Sequence, residues 1–251
     1  PLAKDTEDFI NNLLPDAVKK MAEYMDERIR FLVEESGFFE SSFLVKEGLI
    51  SADRFTSMFG MVGLADAVNH LLRAKEQKDR YGHSKEANDL GVRIMEKLEE
   101  EVNKHHNPYC KFSNGKFLLH AQVGIDTDKG ISPGCRIPIG EEPEIWDHIR
   151  HCALFHKFFP TGIGDIFRFE STVKRNPQYV LDIMKGAMKL GMRYISFYTS
   201  DSDVVRITGY LVKRSDMEKL ERGEQVLNGA AVLGLGAVKN QHVLDRKERK
   251  I

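Results

Sequence analysis

From Val204 to Val212 the chain reads Val-Val-Arg-Ile-Thr-Gly-Tyr-Leu-Val, a run of β-forming residues with Gly209 near its middle. Glycine weakens a strand, because it adds backbone freedom and packs no side chain, so its presence needs a reason. One reason is conformational: a bulge, or a close approach of another backbone. The other is chemical. Only at glycine can the α-carbon lose a hydrogen and flatten with no side chain in the way, leaving a radical shared by the flanking amide nitrogen and carbonyl. The run by itself leaves both readings open.

The rest of the chain is ordinary globular material. Its 251 residues are 41% hydrophobic and 30% charged, with a formal charge of −1. A chain this long buries roughly 70–75% of its unfolded surface, so it needs no disulfide or metal to hold a core. Mixed charges give no nucleic-acid or membrane-surface footprint. No apolar stretch approaches the ~18 residues of a membrane span. Three cysteines, Cys110, Cys135 and Cys152, follow no repeating spacing, which points to reduced thiols and a cytosolic setting. Pro1 in place of a methionine is read as the mark of a fragment or a trimmed product.

Apolar spacing predicts a helix over Thr6–Glu35 with a break or second start at Pro15, a buried helix over Ala52–Lys75 capped by Ser51, and a surface helix over Ser84–Asn103. Gly60 and Gly63 inside the second of these suggest tight packing or a short break. Further on come a strand over Lys116–Ile125, a glycine- and proline-rich loop over Asp126–Pro143, and a helix over Glu144–Phe159. A strand at Ile166–Phe169, a helix at Pro177–Leu190, a strand at Arg193–Thr199, the Gly209 strand and a helix at Ser215–Arg222 complete the pattern. Alternating helices and strands predict an α/β layout with parallel pairing. About four readable strands are too few to close a barrel alone.

Three groups of residues could carry chemistry. His148, Cys152 and His156 share a helix face at spacing four; two of them could grip one ion, but eight residues span ~12 Å of axis, too far for all three. Packed core imidazoles are the competing reading. His120 and Gln122 stand where a strand meets the long loop, and Arg136 within that loop could hold a carboxylate or phosphate by its fork of donors. Gly162-Ile-Gly-Asp165 is too short to cradle phosphate.

Arg206-Ile-Thr-Gly-Tyr210 resembles the Arg-Val-x-Gly-Tyr motif of pyruvate formate-lyase and other glycyl radical enzymes. The loop Thr127–Gly134 and the helix opening at Asn176-Pro177 resemble further parts of that superfamily. The stretches Phe38–Ile50, Met58–Ala65 and Leu119–Gln122 are similar to the YjjI family of glycyl radical enzymes, and the likeness runs over essentially the whole chain. That resemblance implies an α/β fold forming the C-terminal half of a ten-stranded barrel, with residues 1–199 as the partial barrel and 200–251 as the glycyl radical region and tail. It implies that Gly209 stores a radical installed by a radical S-adenosylmethionine activase, with Arg206 and Tyr210 supporting its loop. His120, Gln122, Arg136, Asn69 and His70 are the expected substrate-side residues. The family's thiyl cysteine lies upstream, and none of the three cysteines here stands in a matching context. The expected partners are therefore the activase, a small-molecule substrate, and a half-barrel segment or chain carrying that cysteine; a homodimer is compatible. No bound metal or permanent cofactor is expected. The competing function is a non-catalytic subunit or replacement part for a damaged enzyme.

Overall fold

A computed structural model describes residues 2–121, 131–207, 210–224 and 226, and of Ile207 and Tyr210 the backbone alone. The chain divides into two compact units: Pro1–Gly60 with Val92–His120 and Phe158–Pro160, and Met61–Gly91 with Ala121–Lys157 and Thr161–Ile251.

In the first unit, the Asp5 carboxylate caps the opening turn by accepting from the Asp8 amide at 2.8 Å. Pro15 marks the second helix start that its position predicts. It occupies the first turn of Leu14–Arg30, where its missing N–H costs nothing, and the preceding residues Phe9–Leu13 form a widened turn in which the Leu14 amide reaches back to the Phe9 carbonyl. Val18, Ala22 and Met25 form the buried stripe of this helix. Asn107 ties it to the later part of the unit through a 2.8 Å bond to Asp26. The helix Lys85–Val102 matches its sequence reading closely, with the Ser84 hydroxyl accepting from the Ala87 amide at 3.1 Å. Its apolar face buries Leu90, Ile94, Met95, Leu98 and Val102.

The expected helix over Ala52–Lys75 is a correction. Met58–Met61 is a strand (β1), which forms a two-stranded sheet with Leu118–Ala121 (β2). A helix begins only at Leu64 and ends at Leu71. The cause is tertiary. Gly63 adopts a left-handed conformation with φ of 78° and donates its amide to the Ser132 carbonyl at 2.8 Å. Leu64 donates to the Gly134 carbonyl at 3.2 Å, and the Asp66 carboxylate accepts from the Ser132 amide at 2.6 Å and hydroxyl at 2.8 Å. The segment after residue 130 thus takes the backbone donors that a continuous helix would have kept for itself.

The second unit carries the α/β packing. Ile166–Phe169 (β3) pairs in parallel with Ser196–Thr199 (β4), joined through the helix Pro177–Lys189 as a parallel pair requires. That helix and Ile145–His156 bury Ile149, Cys152, Val180, Ile183 and Ala187 against Phe167 and Phe169. Each such aliphatic or aromatic side chain contributes roughly 1.5–3 kcal/mol of burial. Gly191 ends the crossover helix in a left-handed turn, as its sequence position predicts.

The Gly209 strand is a second correction. Val205–Ile207 (β5) and Tyr210–Val212 (β6) are two antiparallel strands, with Ile207 opposite Tyr210. Thr208 and Gly209 lie outside the described residues, and both paired strands end against them. The glycine therefore falls between paired strands rather than inside one. Among the described residues the strands form three separate pairs, and no helix is long and apolar enough to cross a membrane.

Candidate active site

The second unit has a buried carboxylate at its centre. Asp165 is 1% exposed and sits immediately before β3. Gly162 makes the approach: its φ is +79°, and a Cβ there would come within 3.0 Å of His156 Nδ1. One carboxylate oxygen of Asp165, Oδ1, accepts from Arg136 Nε at 3.0 Å and from the Ile166 amide at 2.7 Å. The other, Oδ2, lies 2.7 Å from His148 Nε2 and accepts from the Cys152 thiol at 3.2 Å. Arg206 stands on the same side as Arg136, with Nη2 3.9 Å from Oδ1. Its Nη1 donates to Glu142 at 2.6 Å. Arg136 and Arg206 are 1% and 4% exposed, so neither charge is relieved by solvent.

Burial alone would push the Asp165 carboxyl up. The Arg136 guanidinium, the His148 imidazole bonded to the carboxylate and the Arg206 guanidinium outweigh it and hold the carboxyl well below the usual carboxylate range. The opposite happens to the thiol: burial, then the Asp165 charge, keep Cys152 protonated well above its ordinary value. Cys135 and Cys110 are also raised by burial, and all three cysteines are free and buried. None is poised as a thiolate nucleophile.

His148, Cys152 and Asp165 bring three ligand atoms within 4.8 Å of one another. Two of the three residues expected to share a helix face do meet, but His156 does not join them; its Nδ1 accepts from the Arg193 amide at 3.1 Å. The Asp165 carboxylate already accepts from Arg136 and has the Arg206 guanidinium 3.9 Å away. A divalent cation here would add charge to a balanced cluster, so the trio works as a hydrogen-bonding hub.

Beside the hub lies a cavity of about 880 Å³, whose walls include Arg206, Glu142, His148, Tyr179 and Tyr198. Aromatic and charged groups around such a space suit a small polar molecule.

The residues singled out by sequence fall as follows. Arg136 and Arg206 converge on Asp165. Asn69, on the helix Leu64–Leu71, accepts from the Tyr81 amide at 2.8 Å, which makes it a structural tie in this fold. His70 on the same helix is exposed. His120 is half-buried on β2, in the first unit. Gln122 and Gly209 lie outside the described residues, and Tyr210 is described by its backbone as the first residue of β6. Asp165 and Glu142 were missed. Asp165 stands directly before the apolar strand Ile-Phe-Arg-Phe, where an acid has no local reason to be, and that was the available signal.

The family described as "Glycyl radical enzyme YjjI-like" matches residues 1–249. A Haemophilus influenzae protein is 43% identical over 249 residues, covering 98% of this chain and 48% of the relative. The chain belongs to the YjjI-like glycyl radical enzyme family. Escherichia coli YjjI is 41% identical over 250 residues, covering 99% of this chain and 48% of the relative. The chain therefore spans about half the length of the YjjI-like relatives it matches. Among solved structures, an anaerobic ribonucleotide reductase superposes with a TM-score of 0.62 at 15% identity, over 90% of this chain and 41% of the other. The Thermotoga maritima anaerobic ribonucleotide reductase in complex with dATP and CTP gives 0.64 at 16% identity, over 86% and 41%. At that identity the likeness is one of fold, and it agrees with an α/β architecture for this YjjI-like chain.

Proposed function

We propose that this chain is the glycine-bearing part of an anaerobic glycyl radical enzyme, with the radical stored at Gly209 and the thiyl cysteine supplied by a segment or chain outside it. Residues 1–199 serve as part of an α/β barrel and 200–251 as the radical region. A radical S-adenosylmethionine activase removes one hydrogen atom from the Gly209 α-carbon, and the remaining electron is shared by the flanking amide and carbonyl. Arg206 and Tyr210 support this segment. Arg136 and the cavity beside Arg206 serve the substrate side; His120, Gln122 and His70 are further proposed contributors.

The observation that carries the reading is the hairpin: β5 and β6 flank Gly209, and β5 is fixed by a buried arginine on the Asp165 hub. The ribonucleotide reductases offer a fold and not an activity, since the three cysteines here include no Cys-x-x-Cys pair.

The test is electron paramagnetic resonance after anaerobic treatment with the activase. A doublet from coupling to one α-hydrogen is expected, and Gly209→Ala removes it. Air then cleaves the activated chain near Gly209, releasing a piece that begins around Tyr210. A silent spectrum with a competent activase, and an intact mass after air, would sink the reading.

The half-length match supports a second reading, in which the chain replaces the damaged end of a longer enzyme. Binding to an oxygen-cleaved full-length relative, with return of its activity, would favour it.

A further inference from the structure

We infer that Asp165 and Glu142 are positioning residues for the hairpin of β5 and β6, each holding Arg206 from its own side and so fixing the direction of β5. The inference rests on the proposed radical role of Gly209 and goes further by assigning what fixes that segment.

Arg206 is the third residue before Gly209 and lies opposite Leu211 in the hairpin. The hairpin is short, with three residue pairs: Val205 with Val212, Arg206 with Leu211, and Ile207 with Tyr210. A two-stranded ribbon of that length is not stable by itself in water. The buried apolar support under it is also small, consisting of Val205 and Met217 with Val212 and Leu220 packed against them. Asp203 ties the start of the hairpin to Ser215 through its carboxylate, accepting from the hydroxyl at 2.7 Å, and the buried tie within β5 is the arginine. Its Nη1 is bonded to Glu142 at 2.6 Å, and its Nη2 is 3.9 Å from Asp165 Oδ1.

Both carboxylates are themselves fixed. Glu142 accepts from the Gly140 amide at 2.7 Å through its second oxygen. Asp165 is bound by Arg136, His148, Cys152 and the Ile166 amide. The Arg206 guanidinium is hydrogen-bonded to Glu142 and lies in the field of the Asp165 carboxylate at 3.9 Å, an ion pair without a hydrogen bond, and the two charges together restrict the swing of the side chain that β5 bears. Two guanidinium groups against two carboxylates leave the cluster near neutral, which is what lets it sit away from water. This reading also gives a use to the Gly162–Asp165 turn, whose only sequence interpretation was a phosphate loop that it does not fit.

The test uses the whole chain and two readouts. Hydrogen exchange followed by mass spectrometry reports the hairpin directly and needs no activase. In Asp165→Asn the exchange of the peptide over 203–213, taken relative to the peptide over Pro177–Lys189 to cancel the global loss of stability, is about tenfold faster than in the wild type. Glu142→Gln disturbs only the outer side of the clamp, and accelerates the same peptide by roughly threefold. With the activase, the radical yield per chain falls in the same order. If Asp165→Asn fails to fold, Glu142→Gln decides alone. Wild-type exchange over 203–213 in the folded variants overturns the inference, as does faster exchange with an unchanged radical yield. A wild-type protein that never gives the doublet instead overturns the radical reading, and the exchange data then still judge the clamp.

Discussion

The chain holds two kinds of ion pair, each a basic side chain on an aspartate. On the helix Leu14–Arg30, Lys20 and Asp16 lie one turn apart at 2.7 Å, with side chains 71% and 56% exposed. In the second unit, Arg136 and Asp165 lie 29 positions apart at 3.0 Å, with side chains 0% and 2% exposed. The distances are alike and the consequences are not. Water solvates the first pair with or without its partner, so the pair adds little. The second has no water to fall back on. Each member depends on the other, and removing one strands a buried charge. Arg136–Asp165 thus fixes geometry, whereas Lys20–Asp16 decorates a surface.

The largest expected effect is at the hub. Asp165→Asn leaves Arg136 and Arg206 short of a counter-charge, and should lower the unfolding free energy by about 3–5 kcal/mol in denaturant titrations. A loss within 0.5 kcal/mol would erase the distinction between the two kinds of pair.

Next comes pH. Burial pulls His151 down to about 3 and His156 down to about 4, both below the ordinary value near 6.5. The unfolded chain therefore takes up protons first. Stability is complete above about pH 6.5 and falls as the pH drops toward those values, by up to roughly 1.4 kcal/mol per pH unit for each histidine. His151→Gln should reduce that slope by about half, measured by denaturant unfolding between pH 7 and 5. The Asp165 contribution has the same sign but acts lower: it is present above about 3.9 and lost as the pH falls through its depressed folded value.

A smaller effect is expected at Gly82. Its φ is +91° and a Cβ would meet Ile137 Cδ1 at 2.4 Å, so Gly82→Ala should cost about 1–3 kcal/mol. The smallest is Lys20→Ala, which should change stability by less than about 0.5 kcal/mol at any salt concentration.

Much of the scaffold was legible. The helices Lys85–Val102, Ile145–His156 and Pro177–Lys189 follow from apolar spacing and end signals, and β3 from its Ile-Phe-Arg-Phe run. Of the site, Arg136 is legible by its fork of donors, Arg206 by the family motif that its segment resembles, and His148 and Cys152 by their shared face. Asp165 is hidden in the Gly162-Ile-Gly-Asp165 turn, whose partners lie 13 to 41 positions away. The Ala52–Lys75 helix failed where hydrogen bonds from the Gly63 and Leu64 amides to the Ser132 and Gly134 carbonyls outcompeted a strong local apolar pattern.

The sequence by itself determined the helices Lys85–Val102, Ile145–His156 and Pro177–Lys189, that a glycine interrupts the run before Val212, and the family to which the chain belongs. These depend on neighbours within a few positions, or on motifs that survive as text. Only the tertiary structure decided that the run folds back into a hairpin, that a helix yields to β1, and that Arg136, Arg206, His148 and Cys152 share one carboxylate. Those outcomes rest on bonds between residues tens of positions apart. Their strength comes from the exclusion of water, and no local pattern records it.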